Sequence, residues 1–169
     1  MSHTKKLVLA ALFAALCTVM TLVIQVPSPM QGYVNLGDCA VLLSAWVLGP
    51  LYGAAAAGTG SMLADILSGY AHYAPGTLVI KAGMAVTAAL LLRLLEGRSL
   101  PRPAAQALSG AAAEAIMVAG YFGYASLLLG RGLGAAASVP GNIVQGVFGL
   151  IAAAAVYTLL DREHALARL

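Results

Sequence analysis

Long apolar runs, separated by short stretches rich in glycine, proline and charged residues, dominate the chain. A membrane helix needs about 20 apolar residues to cross the hydrocarbon core of a bilayer. The pattern therefore predicts an all-α integral membrane protein, one domain over residues 1–169, with six transmembrane helices. The helices are predicted at residues 7–26, 36–48, 51–68, 77–95, 104–129 and 139–160. The second run is short, so we expect it to span only part of the bilayer.

The composition agrees with this prediction. Hydrophobic residues make up 61% of the 169 residues and charged residues 9%, and the mean hydropathy is +0.90. Soluble domains carry about 25% charged residues, so a separate soluble domain is excluded. The net charge is +3, but the basic residues are scattered among apolar runs and form no stripe that follows a phosphate backbone. We therefore expect no nucleic-acid partner.

The distribution of basic residues predicts the orientation. With the amino terminus inside, almost all basic residues outside the spans fall on the cytoplasmic side, and Arg131 is the exception. Such an excess is the usual signature of cytoplasmic loops. We expect both termini in the cytoplasm of a bacterial cell, the protein being a multi-pass component of its plasma membrane. The residues counted as cytoplasmic are Lys5, Lys6, Arg93, Arg98, Arg102, Arg162 and Arg168.

Four charged residues lie within the predicted spans, apart from Arg93 at the cytoplasmic end of the fourth span: Asp38, Asp65, Lys81 and Glu114. An intramembrane charge is costly, normally faces the bundle interior and usually has a function or a partner. Asp65 and Lys81 are each eight residues from Tyr73, on either side of the loop between two helices. This symmetry predicts a structural ion pair between Asp65 and Lys81.

Further polar residues form stripes that converge on the outer half of the bundle. Glu114 and Tyr121 share one face of a helix, and Asn142, Gln145 and Phe148 share a face of the last helix. Such residues either bind a small solute or form hydrogen bonds between helices. The predicted substrate-binding residues are Asn35, Asp38, Lys81, Glu114, Tyr121, Asn142 and Gln145. The loop at residues 27–35 is expected to act as a lid over them.

Small residues on the first helix predict a surface for another membrane protein. Ala10 and Ala14, and likewise Ala11 and Ala15, are spaced four apart, as in small-residue faces that let helices approach closely. The alternative is packing within the bundle.

Motifs of enzymes and ATPases are missing from the sequence. It has no HExxH, no GxSxG and no glycine-rich loop ending in Lys-Ser or Lys-Thr, so no catalytic residue, metal site or cofactor is predicted. If the protein carries a bound solute across the membrane, it therefore needs an ion gradient or a partner that hydrolyses ATP.

Several short segments, in order along nearly the whole chain, resemble one family. They are GYVNLGD at 32–38, LGPLYG at 48–53, GSMLAD at 60–65, APGT at 74–77 and VPGNIVQ at 139–145. This series resembles the S components, the substrate-binding membrane subunits, of energy-coupling-factor (ECF) vitamin transporters, in the branch associated with riboflavin or hydroxymethylpyrimidine.

The resemblance implies an ECF S-component bundle of six helices that captures a vitamin or precursor at the extracellular side and topples to release it inward. It also implies partners, a transmembrane coupling protein and two cytoplasmic ATPase subunits, with Ala10 and Ala14, or Ala11 and Ala15, at the docking face. From the polar residues, a hydroxymethylpyrimidine or pyridoxine-like cargo is expected first and riboflavin second. An autonomous ion-coupled carrier or channel, and an intramembrane assembly protein, remain as alternatives.

Overall fold

The computed structural model describes residues 1–28, 32–98 and 100–162, and it consists mainly of helices. Five of the described helices are long and apolar enough to cross a membrane. Tyr124–Leu128 is a π-helical turn that continues α4, and Gly132–Ser138 is a 3₁₀ helix before α5. The elements are α1 (His3–Val23), β1 (Gln25–Ser28), β2 (Gly32–Asn35), α2 (Gly37–Leu67), α3 (Ala74–Glu96), α4 (Arg102–Gly123) and α5 (Val139–Arg162).

Helix α2 contains a sharp bend where the sequence predicted two helices, 36–48 and 51–68. Gly49 has φ 80° and ψ −174°, which a residue with a side chain rarely adopts. Ser44 Oγ donates to the carbonyl oxygen of Gly53 at 3.3 Å, although a continuous helix would separate residues nine apart by about 13 Å. The two parts of α2 therefore fold back on each other, while the count of six membrane crossings stays a prediction.

Helix α1 lies parallel to the second part of α2. Along this contact, Lys6 lies over the ring of Tyr52, and Thr18 Oγ1 donates to the carbonyl oxygen of Gly60 at 2.8 Å. A Cβ added to Gly60 would lie 2.3 Å from the carbonyl oxygen of Ala14. The small-residue pattern at Ala14 is thus partly used for packing within the protein.

Both described ends of the chain lie at one end of the bundle, which we call the basic end. There Arg102 contacts Glu96 at 3.1 Å and Asp161 at 3.7 Å, and Trp46 packs edge-on against Tyr157. The other end is called the hairpin end. Arg131 differs from the other described basic residues outside the spans, because it lies at the hairpin end. The predicted cytoplasmic position of the basic end remains a prediction, and Arg168 lies outside the described residues.

The predicted lid at residues 27–35 is a β-hairpin in its described part. Strands β1 and β2 pair antiparallel, with Val26 opposite Val34. Because Val26 and Pro27 favour extended backbone, α1 ends at Val23 rather than at the predicted residue 26. Residues 29–31 lie outside the described part of the chain. The hairpin lies over the hairpin end of the bundle and contacts α2 and α5.

Candidate ligand-binding cavity

A cavity lies beneath the β-hairpin, between the hairpin and the helices. The empty space in the cavity and at its open mouth, counted together with the solvent there, is about 490 Å³. Polar side chains reach it from the hairpin and from all four helices α2 to α5. The lining residues are Ser28, Gly32, Tyr33, Asn35, Asp65, Tyr73, Thr77, Tyr121, Ser138, Asn142 and Gln145.

A chain of hydrogen bonds joins the hairpin to a buried ion pair below the cavity. The backbone N–H of Asn35 donates to Oε1 of Gln145 at 2.9 Å. Gln145 Nε2 in turn donates to Oδ2 of Asp38 at 2.6 Å, and Lys81 Nζ donates to Oδ1 of the same carboxylate. Each polar group of this chain has a partner, as a buried network requires. The network fixes the position of β2 relative to α5.

The predicted ion pair between Asp65 and Lys81 is wrong, because Lys81 pairs with Asp38. Asp65 lies two residues before the end of α2 at Leu67, whereas Lys81 lies seven residues after the start of α3 at Ala74. At 1.5 Å per residue this difference places Lys81 about 7 Å deeper in the bundle. The symmetry about Tyr73 failed because the connection between the helices is not centred on Tyr73.

Asp65 instead binds the hairpin. Its Oδ1 accepts a hydrogen bond from the phenol of Tyr33 at 2.6 Å. Burial, followed by the nearby charge of Asp65, raises the pKa of the Tyr33 phenol, so the phenol keeps its proton and remains a donor. This bond attaches the lid to α2, in addition to the Asn35–Gln145 bond that attaches it to α5.

Aromatic side chains surround the mouth of the cavity. Tyr73 lies near Tyr121 with ring centroids 6.2 Å apart, and its hydroxyl accepts a 2.8 Å hydrogen bond from Arg131. Tyr121 also shares a 3.0 Å hydrogen bond with Thr77, and Lys81 lies 5.5 Å from its ring centre. These rings offer apolar faces and fixed hydroxyl groups, which suits a flat heterocyclic ligand.

The structure brings together most of the predicted binding residues. Four of them line the cavity, namely Asn35, Tyr121, Asn142 and Gln145. Two others, Asp38 and Lys81, lie behind this lining and hold Gln145 and Tyr121 in place. The predicted stripe on the last helix does not extend to Phe148, which is 62% exposed and faces away from the bundle.

Glu114 lies outside the cavity. It is buried beside Gly146 in an apolar groove between α4 and α5. Neither carboxyl oxygen has a hydrogen-bond partner among the described residues. The helical stripe placed Glu114 correctly among the buried residues of α4, but it could not show that Glu114 is not part of the cavity lining.

Several lining residues were missed by the analysis of the sequence alone. All of them lie in the connections at the hairpin end or within four residues of a helix terminus there, where the sequence shows no periodic stripe. The distribution of basic residues had already placed these connections on the predicted extracellular side, where a solute would enter. That placement was the signal in the sequence that could have identified them. The missed residues are Ser28, Gly32, Tyr33, Asp65, Tyr73, Thr77 and Ser138.

A helical membrane bundle with a polar cavity beneath a lid defines a membrane-embedded protein that binds small solutes. Comparison of the sequence with known families identifies the particular group. The sequence pattern of the family described as "ECF-type riboflavin transporter, S component" matches residues 1–162. The chain belongs to this family, as the ordered segments predicted, and is therefore a transport component with membrane-spanning helices.

Two individual proteins are similar to the chain. A Pyrococcus woesei protein, described as an uncharacterized protein in the gap 3′ region, is 39% identical over 137 residues, which are 79% of this chain and 86% of the relative. A solved S component of a bacterial ECF transporter superposes with a TM-score of 0.68 at 20% identity and covers 97% of both chains. The second likeness establishes the ECF S-component fold.

Proposed function

We propose that this protein captures a water-soluble vitamin or vitamin precursor at the hairpin end, which faces the exterior, and delivers it to an ECF transport complex. The observation that carries the proposal is the convergence of polar side chains from the hairpin and four helices on one cavity near the end of a membrane bundle. The family of the chain supports the same role. Release on the other side would be driven by ATP-hydrolysing partner subunits in the plasma membrane.

Riboflavin becomes the first candidate cargo, because the family description names it. The tyrosine rings and the amides of Asn142 and Gln145 suit a flat heterocycle with ring nitrogen and carbonyl groups. These features equally suit hydroxymethylpyrimidine or pyridoxine, which the sequence placed first. These smaller compounds therefore remain in the test.

The lid must open for any of these ligands to enter. Its attachments are the Asn35–Gln145 and Tyr33–Asp65 hydrogen bonds, together with a contact between Val34 and Gly141. The lid carries its own lining residues, so closing it completes the cavity. A ligand that contacts both the lid and the helices would stabilise the closed form, which is the expected behaviour of a high-affinity capture protein.

Coupling to partner subunits is proposed to use the outer face of α1. Ala11 and Ala15 are exposed there, whereas Ala10 and Ala14 are partly covered. Large apolar side chains flank this face, including Leu12 at 61% and Val8 at 55% exposure. The pair Ala11 and Ala15 is therefore our preferred docking site for the transmembrane coupling protein.

The test is a titration of the purified protein with riboflavin, hydroxymethylpyrimidine, pyridoxine and thiamine, read by native mass spectrometry and by flavin fluorescence. We expect one of them to bind with a nanomolar Kd. The double variant Asn142→Ala/Gln145→Ala should bind it much more weakly, whereas Thr158→Ala, on the exposed surface of α5 far from the cavity, should bind like the wild type. Wild-type affinity in the double variant would refute the site assignment.

A second candidate function is an autonomous ion-coupled carrier. The observation that favours it is Glu114, whose carboxyl group has no hydrogen-bond partner among the described residues, interacts electrostatically with the buried Asp38–Lys81 pair and could accept a proton. Uptake of the vitamin into liposomes that contain only this protein and a proton gradient would support the carrier. Uptake that requires ATPase subunits would exclude it.

A further inference from the structure

Two polar atoms that border the cavity lack a partner among the described residues. They are Oδ2 of Asp65 and Oγ of Ser28. Asp65 is only 5% exposed, and its other oxygen already accepts the Tyr33 hydrogen bond. A buried carboxylate oxygen without a hydrogen bond is costly. Its position in the cavity wall, close to Thr77, allows the ligand, or water that the ligand displaces, to be its partner.

The charges around the cavity make Asp65 different from the other acidic residue nearby. The carboxylate of Asp38 receives Lys81 and Gln145 on its two oxygens, so its charge is compensated. Among the described residues, no ion pair includes Asp65. His72 is exposed and packs against the ring of Tyr73, and Arg131 donates to the hydroxyl of Tyr73. Asp65 thus borders the described cavity without a salt bridge among the described residues, although Lys81 and His72 are close enough to act on it electrostatically.

We propose that Asp65 determines specificity in this cavity: Oδ2 accepts a hydrogen bond from an N–H or O–H group of the captured molecule and disfavours anionic ligands. This inference rests on the proposed capture function and adds the ligand chemistry to it. A neutral, donor-rich vitamin satisfies the free oxygen. A phosphate ester brings a second negative charge towards a carboxylate that forms no salt bridge among the described residues, in a region of low dielectric where like charges repel strongly.

Ser28 supplies a second, weaker contact from the lid. Its hydroxyl can donate to or accept from the ligand, and it lies on β1 near Gly141 of α5. A ligand that reaches both groups would bridge the lid and α2. Because the Tyr33–Asp65 bond already joins these two elements, ligand binding at Oδ2 would add to the closure of the lid without breaking that bond.

The test compares riboflavin with riboflavin 5′-phosphate on the purified full chain, by flavin fluorescence. We expect the wild type to bind riboflavin at least about 10-fold more tightly than its phosphate ester. Asp65→Asn should weaken riboflavin binding by about 10- to 100-fold, in the range for a lost charged hydrogen bond, and should reduce the discrimination. Ser28→Ala should cost about 3- to 10-fold.

Control variants separate this role from lid packing and from folding. In Asp65→Asn, the new side chain retains an oxygen that can accept the hydrogen bond from Tyr33. Tyr33→Phe removes this bond between lid and α2 but keeps the carboxylate. Tyr33→Phe should therefore retain discrimination against the phosphate ester. Asp161→Asn, at the exposed basic end, should behave like the wild type. The comparison of the two flavins on wild-type protein needs no variant and holds even if Asp65→Asn fails to fold.

The possible outcomes are distinct. Unchanged riboflavin affinity in a folded Asp65→Asn variant would overturn the proposal. Equal wild-type affinity for the two flavins would overturn the rejection of anions. If riboflavin does not bind, hydroxymethylpyrimidine and its phosphate serve as the pair. Failure of the wild type to bind any vitamin would instead refute the proposed capture function itself.

Discussion

Gln145 on α5 donates a 2.6 Å hydrogen bond to the buried carboxylate of Asp38, and its carbonyl oxygen accepts from the backbone of the lid. One side chain therefore connects the lid, the last helix and the ion pair between α2 and α3. This arrangement explains how a cavity formed by several separate elements can hold a defined shape. It also means that replacements of these polar residues are expected to differ in their effects on stability and binding.

Replacing Gln145 should affect both stability and binding. Gln145→Ala leaves Oδ2 of Asp38 and the N–H of Asn35 without their partners, a loss of about 1–3 kcal/mol for each buried group left unsatisfied. We expect a lower thermal unfolding temperature in detergent and weaker vitamin binding. Asn142→Ala is the matched control on the same face of α5, and it should weaken binding with little loss of stability. Equal stability of the two variants would contradict the network.

Removing one member of the Asp38–Lys81 pair should be strongly destabilising. Lys81→Met leaves a buried charge on Asp38, at a cost of about 3–5 kcal/mol. The double variant Asp38→Asn/Lys81→Met should recover much of this loss. A double-mutant cycle measured by thermal unfolding should give a large coupling for Lys81 with Asp38 and a small one for Lys81 with Asp65. The reverse result would restore the pairing that the sequence suggested.

The exposed pair on α1 should be needed for transport but not for binding. Ala11→Leu/Ala15→Leu enlarges an exposed surface of α1, so vitamin affinity and the unfolding temperature should stay at the wild-type values. Uptake in cells that contain the complete transport complex should fall by at least about 10-fold, since bulky residues prevent close helix approach.

Gly60→Val provides the contrasting internal change. Its side chain would collide with the carbonyl oxygen of Ala14, and it should lower the unfolding temperature directly. Loss of vitamin binding in Ala11→Leu/Ala15→Leu would show that these alanines serve internal packing instead.

The bend in α2 should depend on Gly49. Gly49→Ala forces a side chain into a backbone conformation with positive φ, at a cost of about 1–2 kcal/mol, and its Cβ would also displace the Arg93 side chain. Gly83→Ala is the matched control, because a Cβ there would meet nothing within 4 Å. We expect Gly49→Ala to lower the unfolding temperature and Gly83→Ala to leave it unchanged or raise it. Similar values for both would mean that the bend tolerates a side chain.

The orientation can be tested by chemical labelling. With Cys17→Ala and Cys39→Ala as background, a single cysteine introduced at Gly134 should react with a membrane-impermeant maleimide added to intact cells. A cysteine introduced at Arg98 should react only after the membrane is opened. The opposite pattern would reverse the orientation that the basic residues predict and would place the cavity on the cytoplasmic side.

More of the helical bundle than of the cavity could be predicted from the sequence. Runs of apolar residues and their Gly- or Pro-rich breaks located the spans to within a few residues, because a span must be apolar along its whole length. The stripe of Asn142 and Gln145 could be recognised because helical periodicity places residues three apart on one face. Residues of the connections, such as Tyr33 and Tyr73, have no such periodicity and were missed.

By itself, the sequence determined the membrane-bundle class, the break at Gly49–Pro50, the family and the inner position of most of the intramembrane charges. Each of these follows from local composition or from residue order. Only the tertiary structure decided which charges meet: Lys81 with Asp38 rather than Asp65, and Glu114 outside the cavity. The physical reason is that such pairings depend on the relative depth and rotation of helices, which packing at residues distant in the sequence sets.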